Sequence, residues 1–284
     1  MTEGIVEPAP MVTSALERLR EAKGFVFDMD GVLYRGEQIL PGVIDLINAL
    51  TIRDIPYMLA TNNSMATPAM YVAKLAKMGI ETQPEHILTS STATQLYLKE
   101  HLPAGSKLFV IGMPALSEQL LSDGDFVAAE AGDDDIAAVV MGLDLEFTYA
   151  KLKAGNRAIR NGARFIATNA DATLPTEEGL VPGAGSIISA MATATGVHPV
   201  LIGKPEPTTL LSSARFMGLE PTHCVMVGDR LDTDILAGSR AGMLTALVLT
   251  GVSARADIAS AEALPDLVFT DLTALLATMT GESA

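Results

Sequence analysis

Short apolar runs alternate with helical patterns along this chain, and this alternation constrains the fold more than any other feature. The runs are apolar on successive residues, which is typical of strands buried on both faces of a parallel sheet. We interpret residues 25–27, 57–60, 87–89, 108–112, 137–142, 164–168, 200–203, 224–228 and 244–249 as strands. The sequence therefore predicts an α/β fold with a doubly wound parallel sheet, similar to a Rossmann sheet.

Stretches of helical spacing lie between these runs and are joined to them by short connections. The predicted helices cover residues 12–22, 41–50, a stretch beginning near 67, one ending near 101, 148–161, one ending near 195, 208–217, 235–241 and 272–279. Helices that follow strands in this way cover both faces of a parallel sheet.

Composition limits the partners that the protein can have. The chain has 284 residues, of which 49% are hydrophobic, so it is long enough for two domains. Its net charge of -15 argues against nucleic acid as a partner, because the sequence has no basic stripe to neutralise phosphates. The single cysteine, Cys224, fits a reducing compartment. Residues 1–10 lack the basic and then apolar pattern of a signal peptide. No apolar run reaches membrane-spanning length. We expect a cytoplasmic protein with no membrane partner.

Two carboxylates follow the first predicted strand directly. Asp28 and Asp30 come after the run 25–27, and Gly31 follows them. The carboxyl ends of strands are where open α/β sheets hold ligands. Acids this close repel each other, and a divalent cation commonly offsets the repulsion. An acidic turn at the end of a strand explains the same residues, so the pattern alone leaves both interpretations open.

Three other predicted strands also end in polar residues. The second strand ends at Thr61 and Asn62, which suit either a phosphate or a turn that caps the next helix. Lys204 ends another, and a surface ion pair is its alternative role. The strand 224–228 runs into Asp229 and Asp234. A parallel sheet gathers such ends along one edge, and acids, a lysine and a hydroxyl together suit Mg²⁺-dependent phosphoryl transfer.

At these residues the chain resembles the haloacid dehalogenase superfamily of phosphohydrolases. Its first motif, DxDGVL, matches residues 28–33, its hydroxyl motif matches Thr61, its lysine motif matches Lys204, and its acidic motif, GDxxxTD, matches residues 228–234. The Thr-Asn-Asn-Ser form of the hydroxyl motif and the long insertion before the lysine resemble the NagD-type and 4-nitrophenylphosphatase-type branch. Residues 167–171 and 178–185 resemble the cap sequences of that branch, except that alanine stands at 170 where proline is frequent.

The resemblance implies a role for each catalytic residue. Asp28 would attack phosphorus and form an aspartyl-phosphate. Asp30 would protonate the leaving oxygen and then take a proton from the hydrolytic water. Thr61 and the Asn62 N–H would bind phosphoryl oxygens, and Lys204 would offset charge at the nucleophile and the phosphate.

The resemblance also implies Mg²⁺ as the cofactor. Asp28, Asp229 and the backbone carbonyl of Asp30 would hold the ion. Asp234 would complete the acidic site by supporting the waters of the metal or Lys204. Mg²⁺ and Lys204 together would supply the positive charge that an ionised nucleophile needs when it faces a phosphate dianion.

The resemblance implies a core domain of residues 1–83 and 199–284 and an inserted α/β cap domain of residues 84–198. The cap would cover the site and exclude bulk water, and its loops would select the substrate. It also allows a homo-oligomer formed through the cap. The candidate substrate contacts are Asn169, Asp171 and Asp144, which ordinary loop roles explain equally well.

The function that follows is a Mg²⁺-dependent phosphomonoesterase acting on small phosphorylated metabolites. In this branch the substrates include nucleoside monophosphates, sugar phosphates, phosphoglycolate and nitrophenyl phosphate. One alternative is a receiver-like signalling module that is phosphorylated on aspartate without turnover. The others are a phosphotransferase or mutase of the same superfamily and a silent scaffold. The spacing of Asp28 and Asp30 favours the enzyme, because the second acid shortens the life of an aspartyl-phosphate.

Overall fold

A computed structural model describes residues 10–176 and 179–281. Their contacts divide into two compact units. The first unit contains the described residues up to Ala60, Leu75–Glu81, and the described residues from Leu210 onward. The second unit contains Thr61–Lys74 and, as far as it is described, Thr82–Thr209. The division into core 1–83 and 199–284 and cap 84–198 stays a prediction. The contact grouping differs from it mainly at 61–74 and 199–209.

The described residues form fifteen strands and ten α-helices. The strands are β1 (Gly24–Phe27), β2 (Tyr34–Arg35), β3 (Gln38–Ile39), β4 (Tyr57–Thr61), β5 (Ile87–Thr89), β6 (Ser106–Ile111), β7 (Phe126–Ala128), β8 (Ile136–Met141), β9 (Arg164–Ala167), β10 (Thr173–Thr176), β11 (Gly179–Pro182), β12 (Val200–Leu201), β13 (Cys224–Gly228), β14 (Leu244–Val248) and β15 (Leu267–Phe269). The helices are α1 (Pro10–Arg20), α2 (Val43–Ile52), α3 (Pro68–Lys77), α4 (Ser90–His101), α5 (Pro114–Leu121), α6 (Tyr149–Arg160), α7 (Ala184–Thr195), α8 (Thr208–Phe216), α9 (Leu236–Ala241) and α10 (Leu272–Thr280).

The sheet of the first unit is parallel and buried. The strands β15, β14, β13, β1 and β4 lie side by side in this order. In the central strand β1, Phe25, Val26 and Phe27 have no exposed surface. Helix α2 lies where a helix was predicted, and it buries Val43 and Leu50. Because side chains on both faces of the sheet are excluded from water, the unbroken apolar runs of the sequence correspond to strands rather than to surface segments.

The second unit has its own parallel sheet, in the order β12, β9, β8, β6 and β7. Its core contains Ile111, Val139, Met141 and Met191, all of them buried. The strands β10 and β11 form a separate antiparallel hairpin. The α/β fold predicted from the sequence is confirmed, with a parallel sheet in each unit.

Several short elements were not predicted from the sequence. They are the two hairpins β2–β3 and β10–β11, helix α5, and strands β7 and β15. These strands have two to four residues, too few to show a period. One turn of π-helix, Leu231–Ile235, precedes α9. The chain is therefore already helical before residue 235, where the helix was predicted to begin. Among the described helices, none has both the length and the apolar character that crossing a bilayer requires.

Candidate active site

Three carboxylates of the first unit meet at the carboxyl ends of two neighbouring strands. Asp28 follows β1, Asp229 follows β13, and Asp234 lies in the π turn after it. One oxygen from each lies within 4.8 Å of the others. The parallel pairing of the two strands produces this meeting, and the Asp28 N–H continues it by donating to the Val227 carbonyl at 2.9 Å. Acids far apart in sequence thus become neighbours.

Asp234 is buried and fixed by backbone donors. Its Oδ2 accepts the N–H of Asp229 at 3.2 Å and the N–H of Arg230 at 3.1 Å. Only 1% of the residue is exposed. Backbone donors stabilise an ionised carboxylate. Asp234 therefore fixes the chain that carries Asp229, in addition to being one of the three acids.

Asp229 is held from a segment that the sequence analysis did not single out, residues 250–253 after β14. Its Oδ2 accepts the Val252 N–H at 2.7 Å, and its carbonyl accepts the Ser253 N–H at 3.1 Å. A Cβ on Gly251 would collide with the Asp229 carboxylate, so glycine permits this close approach. This 250–253 segment directly follows a predicted strand, as do the four groups of polar residues singled out from the sequence. That position is the signal that could have identified it.

The same segment supports the loop that carries Asp30. The Thr250 hydroxyl donates to the Gly31 carbonyl at 2.6 Å, and the Arg35 guanidinium donates to the Thr250 carbonyl. The Gly31 N–H donates to the Tyr34 carbonyl at 2.8 Å and closes the loop. Asp30 is exposed, and its carboxylate is outside the group of three. The metal ligand expected from Asp30 is its backbone carbonyl and not its carboxylate.

The three acids have the chemistry of a site for a hard divalent cation. Carboxylate oxygens are the ligands that Mg²⁺ and Ca²⁺ prefer. Asp229 and Asp234 are almost fully buried, and three like charges within 4.8 Å repel one another strongly. A cation bound among them offsets this repulsion. The donor set therefore fits the expected metal.

The hydroxyl turn lies in the second unit. Thr61, the last residue of β4, is 9% exposed, and its Oγ1 accepts the Asn63 N–H at 3.2 Å. The Asn63 Oδ1 accepts the Met65 N–H at 2.7 Å. Thr67 makes the contact expected of a cap for α3, because its Oγ1 accepts the Met70 N–H at 3.4 Å. The capping alternative therefore belongs to Thr67, and Thr61 and Asn62 form the turn before it.

Lys204 lies beside this turn and is buried. The residue is 2% exposed, which rules out the surface ion pair considered as its alternative. Its carbonyl accepts the Asn62 Nδ2 at 2.8 Å. A buried ammonium is retained in a protein where charge or polar groups compensate for lost water. The second unit thus brings Thr61, Asn62 and Lys204 together.

The three candidate substrate contacts have different surroundings. The Asp144 side chain is 2% exposed and bonded to the Lys151 ammonium and the Glu146 N–H, at 2.8 and 2.9 Å. Asn169 is 5% exposed and donates to the Asn62 carbonyl at 2.9 Å. Asp171 is half-buried. Glu178, which belongs to the cap resemblance, is outside the described residues.

The site residues therefore form two groups, one in each unit. The acids Asp28, Asp229 and Asp234 belong to the first, with Asp30 on the adjoining loop. The hydroxyl turn and Lys204 belong to the second. That both groups bind one phosphate stays a prediction.

Comparison with known proteins gives the family. Haloacid dehalogenase-like hydrolase is the family whose model matches residues 25–124, and a HAD-hydrolase-like model matches residues 201–275. The acid sugar phosphatase of Staphylococcus aureus is 38% identical over 259 residues, which cover 91% of this chain and 98% of that protein.

Solved structures of phosphatases have the same fold. The 4-nitrophenylphosphatase of Thermotoga maritima matches with a TM-score of 0.86 and 33% identity, covering 92% of this chain and 99% of its own. NagD from Escherichia coli matches with 0.81 and 29%, covering 88% and 97%. A glycerol phosphate phosphatase of Mycobacterium tuberculosis, crystallised with calcium, matches with 0.83 and 32%, covering 91% and 76%. It was also crystallised with magnesium.

The fold, the order of the four motifs along the chain and the relatives that match nearly its whole length all agree. The chain belongs to the haloacid dehalogenase-like hydrolases and is a phosphatase of the branch that contains NagD and the 4-nitrophenylphosphatases.

Proposed function

We propose that this phosphatase hydrolyses small phosphomonoesters with Mg²⁺ as its cation and Asp28 as its nucleophile. The observation that carries the proposal is the group of three carboxylates after β1 and β13, in which Asp28 is the half-buried member. A nucleophile must be reachable by substrate, whereas a residue that only holds a metal can be enclosed. Asp229 and Asp234, each 1% exposed, are enclosed.

Asp28, Asp229 and Asp234 would hold the cation, together with the Asp30 carbonyl. When bound, Mg²⁺ would neutralise charge on the nucleophile and the phosphate, which allows two anions to approach each other. The groups that fix Asp229 and Asp234 are backbone N–H donors, and their hydrogen bonds hold both carboxylates in a set orientation.

Asp28 and Asp30 would carry out the chemistry in two steps. In the first, an Asp28 oxygen forms a bond to phosphorus, the ester P–O bond breaks, and the leaving oxygen takes a proton from Asp30. In the second, Asp30 accepts a proton from water while that water attacks the phosphorus of the aspartyl-phosphate, which releases phosphate and restores Asp28. The exposure of Asp30 supports this role, because the leaving alcohol and the water must both reach it.

The hydroxyl turn and Lys204 would bind the phosphoryl group. Because the Thr61 Oγ1 already accepts the Asn63 N–H, its own proton can be donated to a phosphoryl oxygen. The Asn62 N–H would be a second donor, and Lys204 would supply positive charge. We assign these three residues to phosphate binding by the order of motifs that they share with the family.

The substrate class that we propose is a small phosphorylated alcohol, with sugar phosphates first. The S. aureus relative is an acid sugar phosphatase, and the M. tuberculosis neighbour is a glycerol phosphate phosphatase. A net charge of -15 disfavours large polyanions. Nitrophenyl phosphate is the practical test substrate, since a T. maritima neighbour is a 4-nitrophenylphosphatase. Asp171 stays our candidate for contact with the substrate's alcohol portion.

The test is Asp28→Asn, assayed for phosphate release from nitrophenyl phosphate and from a panel of sugar phosphates, with and without Mg²⁺. We expect kcat to fall by about 10³-fold or more, because the variant lacks the nucleophile. The matched control is Asp232→Asn, an exposed acid paired with Arg230 at 2.8 Å, for which kcat should stay near that of the native protein. Turnover by Asp28→Asn at the native rate would contradict the proposal. Transfer of the phosphoryl group to an alcohol instead of its release as inorganic phosphate would also contradict it.

A further inference from the structure

We propose that Asn169 is a positioning residue that fixes the Thr61–Asn62 turn relative to Lys204, and this inference rests on the phosphatase function proposed above. Asn169 follows β9, in the region predicted to be the cap. Its place in the sequence makes it a candidate substrate contact. Its surroundings in the second unit assign it a different role.

Both polar atoms of the Asn169 side-chain amide form hydrogen bonds within the protein. Its Nδ2 donates to the Asn62 carbonyl at 2.9 Å, and its Oδ1 accepts the Asp171 N–H at 3.2 Å. These two partners require the donor and the acceptor on opposite sides, which settles the orientation of the amide. The residue is only 5% exposed. It therefore acts through the protein groups that it touches.

The Asn62 carbonyl accepts two side-chain donors, the Asn169 Nδ2 and the Ser90 hydroxyl, the latter at 2.7 Å. Two donors on one carbonyl fix the plane of the peptide between Asn62 and Asn63, because a peptide is planar. The N–H of that same peptide donates to the Thr61 Oγ1 at 3.2 Å. The direction in which Thr61 presents its proton thus depends on Asn169 and Ser90.

The turn is bonded to Lys204 through the Asn62 side chain. The Asn62 Nδ2 donates to the Lys204 carbonyl at 2.8 Å. The chain before Lys204 is held to the end of β9, since the Gly203 N–H donates to the Thr168 carbonyl at 2.9 Å. A Cβ on Gly203 would lie 2.5 Å from the Thr168 carbonyl oxygen and 2.7 Å from the Asn62 Oδ1, so a larger residue would separate these segments.

Asn169, Asn62 and Lys204 therefore belong to one connected set of hydrogen bonds. Hydroxyl, backbone donor and lysine bind phosphate well only if their spacing is already correct before the ligand arrives. The bond from Asn169 supplies part of that fixed spacing. Loss of this bond should weaken phosphate binding itself, whichever alcohol the substrate carries.

The test is Asn169→Asp, which keeps the size of the side chain and replaces the donor on the Asn62 carbonyl with an acceptor. Inorganic phosphate serves as the probe, through its inhibition constant KI, beside kcat and KM for nitrophenyl phosphate and one sugar phosphate. We expect KI to rise about tenfold and kcat/KM to fall about tenfold for both substrates, as expected when a charged repulsion replaces a buried hydrogen bond. Asn156→Asp is the matched control, because Asn156 bonds only Arg160 in the hydrogen bonds described for its side chain.

A rise in KM for one substrate with KI unchanged would overturn the inference. It would indicate instead that Asn169 contacts the substrate. If Asn169→Asp does not fold, Ser90→Ala tests the same carbonyl: a raised KI supports the inference and an unchanged KI contradicts it. Failure of the proposed function gives a different result, since neither the native protein nor Asn156→Asp would then release phosphate.

Discussion

At the scale of single residues, the acidic site places charge where water is largely absent. Asp229 and Asp234 are each 1% exposed, and Asp28 lies beside them. Backbone N–H groups offset part of the cost of burying these charges, but they do not remove the mutual repulsion of three carboxylates. Without a cation the acids should reduce stability, and with one they should increase it. This reversal can be measured.

Asp229→Asn tests the reversal. The variant keeps an oxygen for the Val252 N–H and removes one negative charge, so the metal-free protein should be as stable as the native one or more so. In the native protein, Mg²⁺ at about 100 times its Kd adds about 2.7 kcal/mol to the free energy of unfolding. In Asp229→Asn most of that gain should disappear. Thermal unfolding with Mg²⁺ and with a chelator measures both quantities, and an equal Mg²⁺ effect in both proteins would contradict the site.

Cys224 gives a second prediction at this scale. It lies in β13 with 1% of its surface exposed, and burial raises the pKa of its thiol from 9.0 to about 11. The folded state therefore keeps the proton longer than the unfolded state does. The stability that this thiol contributes is fully present below pH 9 and is lost as the pH rises toward 11.

A thiol reagent at pH 8 should therefore leave the native chain unmodified and modify one thiol per chain in denaturant. Rapid modification of the folded protein would show that Cys224 is accessible and would contradict the burial of β13. A buried, protonated thiol is unreactive, which agrees with a role for Cys224 in packing.

At the scale of elements, the site depends on segments that no motif marks. The 250–253 segment connects the Asp30 loop, through Thr250 and Gly31, to Asp229, through Val252. The Ser253 hydroxyl also accepts the N–H of Leu231, which opens the π turn. One short loop after β14 thus contacts the Asp30 loop, Asp229 and the start of the turn that carries Asp234.

Gly251→Ala tests this loop. The added methyl group would collide with the Asp229 carboxylate and displace it or the loop. We expect the apparent affinity for Mg²⁺ to fall about tenfold or more, because a ligand oxygen moves out of place. Gly132→Ala is the matched control, since nothing lies within 4 Å of its added carbon. Activity measured against Mg²⁺ concentration gives the affinity, and an unchanged curve for Gly251→Ala would count against the loop's role.

The elements also show what the sequence could reveal. β1 and β13 are continuous apolar runs, so their existence and the acids that follow them were predictable. The hairpin β2–β3 has two residues in each strand, too few for a pattern. The bond from Asn169 to Asn62 was not predictable, because it joins residues 107 positions apart and depends on tertiary packing rather than on any local pattern. The position of the 250–253 segment after a predicted strand could have marked it as a candidate, but its contact with Asp229 depends on tertiary packing and was not predictable.

At the scale of the whole molecule, each of the two units contains a parallel sheet. The chain that forms both units belongs to one family. The acidic group belongs to one unit and the hydroxyl turn with Lys204 to the other. This distribution fits an enzyme whose binding and chemical residues come from separate parts of the chain. The cytoplasmic location and a homo-oligomer formed through the cap stay predictions.

The central claim is that Asp28 carries the phosphoryl group during turnover. The most direct measurement is rapid acid quenching after mixing the native enzyme and Mg²⁺ with a substrate labelled in its phosphoryl group, followed by peptide mapping. The account predicts a short-lived label on Asp28, absent from Asp28→Asn and longer-lived in Asp30→Asn, which lacks the base. A label on another residue would contradict the account, as would turnover without a phosphoenzyme or an aspartyl-phosphate that persists for hours in the native protein.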